Sequence, residues 1–72
     1  MSAITIHTET IRLTQFLKLV DAVQDGVEAK IRIQAGLVMV NNAVETRRGR
    51  KLKPGDQVAY AGEVYEVCGP AG

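Results

Sequence analysis

The sequence predicts an α+β fold in which one strand and two helices precede a run of short strands. Apolar residues recur with helical spacing between Leu13 and Val20, and again at Ala29 and Ile33. After Gly36 the spacing changes to that of strands, and turn-forming residues then follow at short intervals.

The elements follow in chain order. Ile4-Thr5-Ile6-His7-Thr8 alternates apolar and polar side chains, with four of the five β-branched, and reads as a short strand. The first helix begins near Arg12, with Leu13, Phe16, Leu17 and Val20 drawing one apolar stripe. Residues 21–26 break that stripe. Asp25 and Glu28 form a capping-box pattern: Asp25 should accept from the backbone N–H of Glu28, and Glu28 should reach back. The second helix then runs to about Ala35, where Gly36 supplies a left-handed C′ position. Residues 37–40 make a strand, Asn41-Asn42 a tight turn, and residues 43–46 the return. Lys53-Pro54-Gly55-Asp56 has proline and glycine where a type II turn wants them. Residues 57–61 and 64–68 are two further strands joined around Gly62, and Pro70-Ala71-Gly72 is expected to be a frayed tail.

Seventy-two residues are expected to form one domain, spanning 1–72. A core of that size gives on the order of 3–5 kcal/mol of net stability. The single cysteine, Cys68, cannot form an internal disulfide, and with His7 alone it cannot complete a zinc site. A reducing, cytoplasmic location is therefore expected. The residues from Met1 to Thr5 lack the cationic and apolar segments of a signal peptide, and no apolar run approaches membrane-spanning length. Tryptophan is absent and aromatics are 4% of residues, so an aromatic base-stacking platform is not expected.

The chemistry-bearing feature is the run from Thr46 to Lys53, which holds five of the nine basic residues: Arg47, Arg48, Arg50, Lys51 and Lys53. The formal net charge of +1 conceals it. Phosphates respond to local charge, and an arginine fork can hold a phosphate bidentately. A solvated charge run is the plain alternative. Lys30 and Arg32, two residues apart on the second helix, point about 200° from one another, so at most one can share the face of the run. Lys30 flanks the buried stripe. Arg12 stands at the start of a helix, where a cation opposes the helix dipole, which favours a functional use. Lys18 reads as a solvent-facing helix residue. His7 lacks acidic or cysteine neighbours, Cys68 lacks a partner base, and Gly49 lacks the strand-to-helix setting of a phosphate loop. No catalytic residues and no cofactor are predicted.

Residues 12–18 (Arg-Leu-Thr-Gln-Phe-Leu-Lys), Glu28-Ala29-Lys30 and residues 36–42 (Gly-Leu-Val-Met-Val-Asn-Asn) resemble the S4 RNA-binding domain. The likeness extends to the small stand-alone bacterial proteins of that kind, which share the basic stretch at 45–52 and the following Gly-Asp turn. It spans roughly Ile11 to Val58. The resemblance implies an αL motif: two helices packed on a small, mostly antiparallel sheet, with structured RNA across the helical face and adjoining loop. Arg12, Lys30, Arg47, Arg48, Arg50 and Lys51 match basic positions of the family, and Gly36 and Asn41 its structural turns. Thr14 stands where many members carry aspartate, and Asn42 where most carry glycine. The expected function is a monomeric, non-catalytic binder of structured RNA, ribosomal or transfer, with the ribosome or its precursor as a partner and no membrane. The alternative is an adaptor whose basic ridge meets an acidic protein; a further one is an enzyme subunit holding a phosphorylated small molecule.

Overall fold

The computed structural model describes residues 1–70. Strand β1 (Ser2–Thr5) and the two-residue β2 (Ile11–Arg12) lead into α1 (Leu13–Leu19) and α2 (Gly26–Gln34). There follow β3 (Val38–Val40), β4 (Ala43–Val44), β5 (Lys51–Leu52), β6 (Gln57–Tyr60) and β7 (Glu63–Cys68). Five of these strands form a sheet in the order β1-β7-β6-β3-β4, antiparallel except for the parallel pair β1 and β7. Strands β2 and β5 form a separate two-stranded ribbon.

The helices cover one face of the sheet because each strand turns alternate side chains toward them. Val38, Val40, Val58 and Val67 are buried from the sheet, and Leu13, Phe16, Leu17, Ala29 and Ile33 from the helices. Tyr65 meets the edge of Phe16 with ring centroids 6.1 Å apart at 78°, the T-shaped arrangement that aromatic quadrupoles favour. Ile6, Val23 and Leu52 complete the same core.

Both turns expected to need positive φ have it. Asn41 (φ 52°) and Asn42 (φ 69°) form the β3–β4 hairpin, and Gly55 (φ 98°) takes the third position of the 53–56 turn, closed by the Asp56 N–H donating to Lys53 O at 3.0 Å. Asn41 does more than tolerate its conformation. Its Nδ2 donates to Asp56 Oδ1 at 3.0 Å, and its Oδ1 accepts from the Gln57 N–H at 2.9 Å, so one side chain ties the hairpin to β6.

Several expectations need correction. The first strand spans Ser2–Thr5 rather than residues 4–8, because its backbone pairs with β7 from Ser2↔Tyr65 to Thr5↔Cys68. The alternation still marks the inward side: Ile6 is buried, and its N–H continues the ladder to Cys68 O at 2.9 Å. Asp25 caps α2 as expected, accepting from Glu28 N at 2.8 Å. Glu28, however, accepts from the Gln24 N–H at 3.0 Å, one residue earlier than the capping box requires. Of the expected tail, Pro70 is exposed, while Ala71 and Gly72 lie outside the described residues.

Candidate nucleic-acid interface

The basic run does not form an extended ridge; it folds back on itself. The Arg50 N–H donates to Arg47 O at 3.2 Å, closing a turn with Arg48 and Gly49 at its tip. Two contacts fasten this turn to the start of α1. The Leu13 N–H, which has no partner within its own helix, donates to Arg50 O at 2.8 Å. Beyond the turn, β5 pairs with β2 in the register Ile11↔Leu52 and Arg12↔Lys51. Leu52 enters the core, so the directly opposed Arg12 and Lys51 share the outward face.

A concavity of about 570 Å³ opens beside this ribbon, lined by Arg12, Thr14, Gly26, Lys30, Arg48 and Gly49, with the exposed Val27 on its wall. Its three cations come from three separate segments: the end of β2, the middle of α2 and the tip of the turn. The helix period selects Lys30 for this place, since Ala29 and Ile33 point inward and Lys30 falls on the flank facing α1. Arg32 is exposed in the last turn of α2 and does not line the concavity.

Beneath the turn lies an acidic residue with its side chain only 8% exposed, Glu45. Its carboxylate accepts from the Arg47 backbone N–H (3.1 Å), Arg47 Nε (3.0 Å), Arg47 Nη2 (3.2 Å) and Arg50 Nη1 (2.8 Å). The side-chain hydrogen bond from Arg47 is the main cause that lowers the Glu45 pKa from 4.5 to about 2. Burial opposes that shift, while the Arg47 backbone N–H and Arg50 add to it. In return, Glu45 raises the pKa of Arg47. Arg48 makes no ion pair among the described residues.

The seven basic residues singled out in the sequence therefore occupy different settings. Arg12, Lys30 and Arg48 converge on the concavity. Arg47 and Arg50 brace the turn through Glu45. Lys51 lies beside Arg12 across the ribbon, and Lys53 opens the 53–56 turn, beyond β5. Lys18 lines a second concavity with Thr5, His7 and Gln15. Glu45 carries no expected role and Asp56 only its place in the 53–56 turn, yet both are buried and hydrogen-bonded. An acid immediately before a dense basic run was the one available signal for Glu45. Cys68 is a free, half-buried thiol, and no cluster of metal-binding side chains occurs among the described residues.

Two helices on one face of a small, mostly antiparallel sheet, with a basic turn beside the first helix, define the architecture of an S4 domain. Residues 4–68 match the S4 domain family, and the chain belongs to it. It is 49% identical over 66 residues to the probable ribosome maturation protein RlbA of Bacillus subtilis, covering 92% of this chain and 83% of that protein. It is 40% identical over 57 residues to the putative RNA-binding protein YbcJ of Escherichia coli, covering 79% of this chain and 81% of YbcJ. The solution structure of E. coli YbcJ, described as revealing an αL motif involved in RNA binding, superposes with a TM-score of 0.71. That match has 35% sequence identity over 94% of this chain and 87% of YbcJ.

Proposed function

We propose that this protein is a non-catalytic RNA-binding module that grips structured RNA across the concavity between α1, α2 and the Arg47–Arg50 turn. The convergence of Arg12, Lys30 and Arg48 from three segments carries this reading. A phosphate backbone offers charges at regular intervals, and cations fixed around a hollow select for its curvature. Phosphate and 2′-hydroxyl contacts of this kind read the shape of an RNA more than its base sequence. Arg47 and Arg50 belong to the turn beside the hollow, Lys51 to the ribbon that follows it, and Lys53 comes just beyond β5, so these four are secondary contacts in this reading.

The names of the relatives support RNA as the ligand, and that of the B. subtilis protein favours ribosomal RNA or a ribosomal precursor. The protein is expected to act as a cytoplasmic monomer, with transfer RNA as a second structured ligand. The test is a binding titration with ribosomal RNA and bulk transfer RNA, each repeated with polyglutamate as competitor. The proposal predicts saturable binding to RNA that polyglutamate barely displaces. Preferential binding of polyglutamate would instead establish an adaptor for acidic proteins.

A further inference from the structure

Glu45 is the wrong charge in the wrong place for a surface built only to attract phosphates. It lies between two arginines of the run and neutralises part of their field. Its geometry supplies a reason. The carboxylate grips Arg47 at the first position of the turn and Arg50 at the fourth, on both sides of the closing hydrogen bond. Arg47 commits two side-chain N–H donors to it and Arg50 one, while the rest of each five-donor guanidinium stays outward. Arg48, at the tip, is left for the concavity.

We propose that Glu45 is a positioning residue for RNA binding: its clamp on Arg47 and Arg50 holds the turn in the one shape that presents Arg48 opposite Lys30 and Arg12. This rests on the RNA interface proposed above. Without the clamp, the loop between β4 and β5 holds Gly49 and leaves the long side chains of Arg47 and Arg50 unfastened beside Arg48, and binding would have to order them afresh. The side-chain costs of doing so amount to about tenfold in affinity.

Simple attraction predicts the opposite, because removing an acid from a basic surface should strengthen RNA binding. The two are separated by titrating bulk transfer RNA and a single-stranded oligouridylate against the parent, Glu45→Gln, and Glu45→Gln in an Arg47→Ala/Arg50→Ala background. The expected result is an about tenfold loss on transfer RNA for Glu45→Gln, with unchanged or tighter binding of oligouridylate. In the background lacking both arginines, Glu45→Gln should change affinity by less than about twofold, since nothing remains to be positioned.

Should Glu45→Gln fail to fold, Arg47→Lys/Arg50→Lys keeps both charges and Glu45 but loses the fork geometry. It should show the same loss on transfer RNA with an unchanged salt slope. Tighter transfer RNA binding by a folded Glu45→Gln, or parent affinity in the lysine pair, overturns the proposal. The RNA interface itself is tested separately: if Arg12→Ala/Lys30→Ala/Arg48→Ala binds transfer RNA like the parent, the interface fails; if it binds weakly while Glu45→Gln binds tightly, only the role of Glu45 fails.

Discussion

Two concavities of similar size flank α1, one of about 570 Å³ and one of about 550 Å³. The first gathers Arg12, Lys30 and Arg48 around Thr14 and Gly49. The second is lined by Thr5, Ile6, Thr8 and Leu19, with Lys18 and His7 but no arginine. Hollow shape is therefore common to both sides of the helix and decides nothing about function. Charge drawn from separate segments distinguishes them, because only one of the two can meet several phosphates at once. The chain order accounts for the division: Arg12 ends β2 just before α1, whereas Lys18 stands near the far end of that helix, so the two cations line different hollows.

Both hollows depend on the same buried helix faces, so the largest effects should come from breaking those. Phe16→Ala is expected to cost about 3–5 kcal/mol and Ile33→Ala about 2–5 kcal/mol. Either figure approaches the total stability of on the order of 3–5 kcal/mol for a core this small. Circular-dichroism melts should show both variants unfolded or nearly so at room temperature. Parent-like melting would mean that α1 and α2 do not present these faces to the sheet.

Reversing charge on the two sides compares the hollows directly. Lys30→Glu and Arg12→Glu should each weaken binding of bulk transfer RNA by about tenfold, and Lys18→Glu by no more than about threefold, since ordinary salt screens its field beyond roughly 8–10 Å. Equal losses at all three positions, measured at one ionic strength, would erase the distinction.

Acid sharpens the comparison from the side of the turn. The folded pKa of Glu45 is depressed to about 2 from 4.5, so its stabilising contribution is complete above 4.5 and disappears as the pH falls from there through about 2. The melting temperature of Glu45→Gln should accordingly lie below that of the parent at neutral pH, and the gap should narrow on acidification through that window. Parallel curves for the two proteins between pH 5 and 2 would show that the clamp adds nothing to the fold. The smallest effect belongs to the second hollow: His7→Ala, at an exposed position, should leave the stability within about 0.5 kcal/mol of the parent and its RNA titration unaltered.

Much of this frame is legible in the sequence because it is set locally. The Leu13-Phe16-Leu17 stripe, the Ala29 and Ile33 face, Gly36 at φ 78° and the Asn41-Asn42 hairpin each follow from residues a few positions apart. What escapes is set at a distance. Strands β2 and β5 have two residues each, too few to show a period, and exist because Arg12 and Lys51 meet across 39 positions of chain. The parallel pairing of β1 with β7 joins the two ends of the described chain, and it moves the first strand toward Ser2. The run from Thr46 to Lys53 shows its charge but not its fold: Glu45, which bends it, is distinguished from other surface acids only by the partners that the turn brings to it. Asp56 is similar, buried because Asn41 and the Lys53 N–H come to its carboxylate.

The most direct measurement is the salt dependence of transfer RNA binding for the parent and for Arg12→Ala/Lys30→Ala/Arg48→Ala. If each side chain holds one phosphate, the log–log slope should become shallower by roughly 0.7–0.9 per contact, or about two to three in all, with the melting temperature nearly unchanged. A folded triple variant whose slope and affinity match those of the parent would contradict the placement of RNA in this concavity.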